Sequence, residues 1–146
     1  MQRNTFVKNG VVTLLVLLLN LAFYGACFAD MTDKDFLAEA RKTTKEITVA
    51  VAKADIDAGK AVVLDCRTED EYKKGHVPGA VHLQRGLLEF KAPSKFPDKD
   101  AYIIVYCKTG GRSLLSADTL NKMGYKNAVS MDGGWKGWVK EGGAVE

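Results

Sequence analysis

Beyond its first thirty or so residues the chain predicts an α/β domain, a parallel sheet flanked by helices on both faces. Three observations carry this. Two continuous apolar runs, Ala61-Val-Val-Leu-Asp-Cys66 and Ala101-Tyr-Ile-Ile-Val-Tyr-Cys107, read as strands covered on both faces, since a half-exposed strand would alternate apolar and polar residues. Stretches with apolar residues at helical spacing lie between such runs, as parallel strands joined by crossover helices require. The 146 residues, 47% hydrophobic and 27% charged, suit one globular domain plus termini. With 14 Gly and 3 Pro the chain is neither collagen-like nor Pro-rich, and three Cys are too few for a disulfide scaffold.

Residues 1–29 stand apart. Arg3 and Lys8 come without an acid, residues 11–23 are almost wholly apolar, and Gly25, Ala26 and Ala29 close the stretch. This is the pattern of a secretory signal peptide cut after Ala29. Two readings rank behind it: an uncleaved membrane anchor, and lipoprotein-type cleavage at Cys27, against which Tyr24 stands. The expected mature protein is periplasmic or secreted, with no stable membrane association after cleavage. It keeps 19 basic against 18 acidic residues, and so small an excess does not suggest nucleic acid as a partner.

Residues 30–44 are expected to form a helical extension. Thr32-Asp33-Lys34-Asp35 resembles a capping box, and Phe36, Leu37 and Ala40 follow at helical spacing. The main domain, residues 45–146, then opens with a short strand near Ile47 and a helix that Gly59 ends. The strand at residues 61–66 comes next, and another at residues 80–83 follows the turn Gly75-His76-Val77-Pro78-Gly79. Residues 101–107 are β-branched and aromatic, the strongest strand of all, and lead into Lys108-Thr109-Gly110-Gly111. In the helix expected at residues 112–123, Ser113, Ser116, Ala117 and Leu120 share a face small enough to lie close on a sheet. A last strand at residues 127–131 breaks at Asp132-Gly133-Gly134-Trp135 into a final helical turn.

The chemistry concentrates at Cys107 to Ser113. Ligands of a parallel α/β sheet bind outside the carboxyl ends of its strands, and Cys107 ends a strand just before a glycine loop and a helix start. Free amides there stabilise an anion, so a thiolate at Cys107 is favoured, with Lys108 and Arg112 adding positive charge. Gly110 and Gly111 allow the positive φ angles that a tight cradle needs. An inert core cysteine would not need such a loop.

At these residues the sequence resembles the rhodanese family of sulfurtransferases. Cys107-Lys108-Thr109-Gly110-Gly111-Arg112-Ser113 matches the active-loop pattern Cys-x-x-Gly-x-Arg-Ser. Upstream, Leu64-Asp65-Cys66-Arg67 and Glu71-Tyr72-Lys73-Lys74-Gly75-His76-Val77-Pro78-Gly79-Ala80 match a second signature. Leu120, Gly124-Tyr125 and Gly133-Gly134-Trp135 match the closing segment. The resemblance implies a five-stranded parallel sheet with helices on both faces. It also implies transfer of a sulfane sulfur from a small anionic donor such as thiosulfate to a thiol or cyanide, through a persulfide on Cys107. No metal or organic cofactor is implied.

Other residues carry competing readings. Asp65 and Arg67 either order the active loop or close the strand end as an ion pair, with Glu71 a candidate third member. Both point to the opposite face from Cys66, so Cys66 is expected to be a buried apolar filler turned away from the loop rather than a disulfide partner of Cys107. His76 belongs to a hydrogen-bonded turn rather than acting as a base, and two His without a Cys-x-x-Cys argue against zinc. Trp135 packs beside the site. Two further function classes rank behind sulfur transfer. One is a Cys-based phosphatase or arsenate reductase on the same fold, whose His-Cys-x5-Arg loop is one residue longer than Cys107 to Arg112. The other is a non-catalytic binding or sulfur-carrier module.

Overall fold

In a computed structural model of the chain, residues 30–146 are described. The expected signal peptide, the anchor alternative and Cys27 lie outside the described residues. Residues 33–146 form one compact unit. Its elements are α1 (Asp33–Thr43), β1 (Glu46–Ile47), α2 (Val49–Asp57), β2 (Val62–Asp65), α3 (Glu69–Lys73) and β3 (Val81–His82). After a 3-10 turn (Arg85–Leu87) come α4 (Leu88–Lys95), β4 (Ile103–Tyr106), α5 (Gly111–Lys122), β5 (Ala128–Met131) and α6 (Gly134–Lys140).

The five strands form one sheet in the order β1-β5-β4-β2-β3, every pair parallel. The two apolar runs become its centre, β2 beside β4, with Leu64 opposite Val105 and Asp65 opposite Tyr106. Side chains alternate between two cores. Leu64, Ile103 and Val105 face one side, with Leu88 and Ala92 of α4 and Ala117 and Leu120 of α5. Val63, Ile104, Tyr106, Val129 and Met131 face the other, with Val49 and Ala52 of α2 and Trp138 of α6. The α/β sheet covered on both faces is therefore observed, with five strands.

The expected small face of α5 is real: Ser113, Ser116, Ala117 and Leu120 are all buried. Helix α1 packs on α5, with Ala40 buried and the Thr43 hydroxyl donating to Asp118 Oδ1 at 2.9 Å. Two helices go beyond the expectations. In α3 Thr68 and Glu71 form a reciprocal capping box, and α4 contains Pro93 and still buries Leu88 and Ala92.

Candidate active site

Strand β4 ends at Tyr106, and Cys107 begins a loop that turns directly into α5. Gly110 makes the turn with φ +113°, a conformation that L side chains rarely adopt, whereas Gly111, expected to share it, already begins α5 with no positive φ. In that turn the Gly110 amide donates to Cys107 Sγ at 3.2 Å. The backbone amides of Thr109 and Ser113 also lower the thiol pKa. The Ser113 hydroxyl has one proton and two acceptors in reach, Sγ and the Gly110 carbonyl at 2.8 Å, and it accepts from Ser130 Oγ at 3.0 Å. These donors are the free amides of a helix start, aimed at one sulfur.

Helix α6 fixes the loop from behind. The Trp135 amide donates to the Cys107 carbonyl at 2.7 Å, and the Lys136 amide to that of Lys108 at 3.1 Å. Gly134, at φ +53°, sits so close that a Cβ there would overlap the Cys107 carbonyl oxygen. The Gly133-Gly134 break is thus a backbone clamp on the active loop.

Cys66 corrects an expectation. It does lie on the opposite face from Asp65 and Arg67, but this does not turn it away from the loop. Asp65 pairs with Tyr106 across β2 and β4, so the next residues, Cys66 and Cys107, stand side by side in the same core. Within one strand alternation separates neighbours; across a parallel pair the register aligns them. Cys66 is no filler. The interaction with the Cys66 thiol is the largest cause holding the Cys107 pKa down, to about 4, against the opposing effect of burial. The same contact, together with burial, pushes the Cys66 thiol up. Both residues are free thiols, and Cys107 is only 1% exposed.

The loop's cations are not alike. Arg112 does not stand open over the sulfur: both its terminal nitrogens are bound by Glu71, at 2.8 and 2.9 Å. Arg112 lowers the Glu71 pKa to about 2, and Glu71 raises that of Arg112. The Cys107 charge raises Arg112 further, a smaller effect that places the guanidinium within its field. Lys108 is exposed to solvent. Glu71 is a site residue that sequence reasoning missed in this role, having made it a candidate third member of the Asp65–Arg67 pair.

Asp65 and Arg67 form the ion pair of the structural reading, without Glu71. The pair is almost wholly buried, with Nη2 to Oδ2 at 2.6 Å. Arg67 Nη2 also donates to the Gly75 carbonyl at 2.7 Å, and its guanidinium lies 4.6 Å from the Trp135 ring centroid. So the pair ties the end of β2 to the Gly75 turn and to the first turn of α6, on the face opposite the two sulfurs. His76 belongs to its turn, stacked on Tyr72, with Nδ1 3.1 Å from the Tyr72 carbonyl. Among the described residues no group of three or more His, Cys, Asp or Glu is placed to hold a metal ion.

Residues 48–141 match the rhodanese-like domain family. A thiosulfate sulfurtransferase of Arabidopsis thaliana chloroplasts is 30% identical over 116 residues, covering 73% of this chain and 96% of its own. A protein of Bacillus subtilis (strain 168), provisionally named a sulfur carrier, is 32% identical over 103 residues, and this chain spans 55% of its length. A solved structure from Rhodopseudomonas palustris CGA009, of unknown function and described as a possible tyrosine phosphatase, is 32% identical with a TM-score of 0.76. The match covers 82% of this chain and 97% of that one.

Proposed function

Because the chain belongs to the rhodanese-like family, we propose that it is a sulfurtransferase. It carries sulfane sulfur from a small anionic donor such as thiosulfate to a nucleophilic acceptor, a thiol or cyanide, through a persulfide on Cys107. The single observation that supports this most is the Cys107 sulfur buried at a strand end under the Gly110 amide, in surroundings that hold its pKa low. A thiolate is the nucleophilic form of cysteine. It attacks the outer sulfur of thiosulfate; the sulfur–sulfur bond of the donor breaks and sulfite leaves with the bonding pair. The charge then sits on the outer sulfur of the persulfide, next to the loop amides, whose preorganised dipoles serve thiolate and persulfide alike. The acceptor attacks that outer sulfur, and Cys107 returns as thiolate.

Arg112 acts from its pair with Glu71, as part of the wall of the cradle. Its committed guanidinium also weighs against phosphate-ester hydrolysis, because a phosphoryl oxyanion would have to displace Glu71 from both nitrogens. The loop from Cys107 to Arg112 leaves it little room. Asp65 and Arg67 support the site as a buried clamp. The protein works after export, in a periplasmic or extracellular space, a reading that rests on the composition of residues 1–29; N-terminal sequencing of the protein from the producing cells should begin at Asp30.

The test of activity is a pair of assays on one preparation. Thiosulfate with cyanide should yield thiocyanate with the parallel-line kinetics of a two-step cycle. An aryl phosphate should yield nothing. Phosphate release without thiocyanate would replace this reading with the phosphatase one.

A further inference from the structure

Sulfur transfer through Cys107 gives Cys66 an influence on the Cys107 thiol and no bond to form. Its position allows more. In-register neighbours on parallel strands lie about 4.8 Å apart at their backbones, within the roughly 4.4–6.8 Å between Cα atoms that a disulfide spans. Cys66 follows Asp65 just as Cys107 follows Tyr106, its amide donates to the Tyr106 carbonyl at 3.0 Å, and both side chains lie in the same buried core. The Cys66 carbonyl accepts from the Arg85 amide at 3.3 Å, so the strand end is fixed on its other side too. Cys66 reaches Sγ from the neighbouring strand, whereas the Gly110 and Thr109 amides reach it from its own loop. An outer sulfur taken up by Cys107 would rest against those amides and leave the Cys66 side open.

We propose that Cys66 is the resolving thiol of a two-cysteine site, one that turns the bound sulfane sulfur into sulfide. The inference rests on the persulfide reading of Cys107. Cys66 Sγ attacks Cys107 Sγ of the persulfide; the bond to the outer sulfur breaks and the bond between the two cysteine sulfurs forms. The outer sulfur leaves as hydrosulfide, and the Cys66 proton goes with it to solvent. The Cys66 sulfur is oxidised as the outer sulfur is reduced, so persulfide plus thiol gives disulfide plus hydrogen sulfide. A small dithiol then reduces the Cys66–Cys107 disulfide by exchange, becoming a disulfide itself, and both thiols return. In the resting site the Cys107 charge holds Cys66 protonated. Sulfur uptake moves that charge one atom outward, which eases the release of the Cys66 proton when it attacks.

The test loads the reduced protein with a slight excess of thiosulfate in anaerobic buffer, removes small molecules, and quenches samples in acid over time. Intact mass and free sulfide are read together. Wild type should first gain one sulfur atom. It should then lose it to a form two hydrogens lighter than the reduced protein, releasing one equivalent of sulfide. Non-reducing digestion of that form should give a Cys66–Cys107 linked peptide, a readout that needs no variant. Cys66→Ser should keep its added sulfur over the same period and release sulfide only when dithiol is added. A wild-type persulfide as long-lived as that of the variant, with no lighter form, would overturn the inference and leave the sulfurtransferase reading standing. A wild type that never takes up sulfur would overturn both.

Discussion

Cys66 and Cys107 occupy equivalent places, one residue past the ends of adjacent parallel strands, side by side in one core and both nearly solvent-free. Their thiols are nevertheless driven in opposite directions, Cys107 down and Cys66 up. The difference lies in the segment that each strand leads into. After Cys107 the chain makes a positive-φ turn at Gly110 and starts a 12-residue helix, with free amides converging on the sulfur. After Cys66 it starts a five-residue helix with a capping box, in which the Thr68 and Glu71 side chains take up each other's amides. No comparable cradle is built beyond Cys66. Burial alone raises a thiol pKa; burial beside a ring of donors lowers it. So the location at a strand end is common to both; the interaction between the two thiols pushes their pKa values apart, and the loop amides add to it at Cys107 alone.

The comparison breaks most completely if Cys107 is removed. Cys107→Ser should reduce thiocyanate formation to the uncatalysed background, since the hydroxyl that replaces the thiol stays protonated and takes up no sulfur. Cys66→Ser should still load. Next in size is Gly134→Ala, which drives a methyl group into the Cys107 carbonyl. Overpacking against backbone costs about 1–3 kcal/mol, readable as a lower Tm together with lost activity. The same substitution at Gly79, where nothing lies within 4 Å of the added carbon, should leave activity intact and cost only the strain of its positive φ.

A third, smaller effect concerns pH. With the Cys107 pKa near 4, the rate of sulfur loading should be flat from neutral pH down to about pH 5 and fall only below it. Cys66→Ala removes a donor worth about 1 kcal/mol, roughly fivefold in the ionisation constant. The acid limb should then move to higher pH with the rate at pH 8 less affected. An unmoved limb would mean that the loop amides alone set the thiol. Glu71 gives a parallel signal in stability. Its folded pKa, about 2, lies below the ordinary carboxylate value of about 4.3. The stability it contributes is present above the latter and lost as pH falls toward the former. Glu71→Gln should remove that part of the acid dependence. The smallest effect is expected of Lys108→Ala, because Lys108 is exposed. The KM for thiosulfate should rise by about twofold or less and the rise should vanish in high salt.

Much of this was legible in the chain. Continuous apolar runs gave β2 and β4, because a strand buried on both faces cannot alternate, and the Gly-Gly-Arg-Ser segment after Cys107 marked a cradle because only glycine turns so tightly. Helix α4 was not legible. Its buried pair Leu88 and Ala92 is short, and Pro93, a helix breaker in most settings, falls within it. The pairing of Cys66 with Cys107 was hidden for a different reason. Alternation is a property of one strand, whereas register is set between strands far apart in the chain, and a shift of one residue would have put the two sulfurs on opposite faces. The Arg112–Glu71 pair was hidden likewise, since its members lie far apart in the chain and Glu71 stood as a candidate partner of Asp65 and Arg67.

The central claim is that sulfur is taken up at Cys107 and not at its neighbour. It is tested most directly by treating the reduced protein with thiosulfate, quenching in acid within the first turnover, and locating the added sulfur by peptide mass. The prediction is one extra sulfur atom on the peptide containing Cys107, none on the peptide containing Cys66, and loss of that sulfur as thiocyanate when cyanide is added before the quench. Sulfur found first on Cys66, or none on either peptide while an aryl phosphate is turned over, would contradict it.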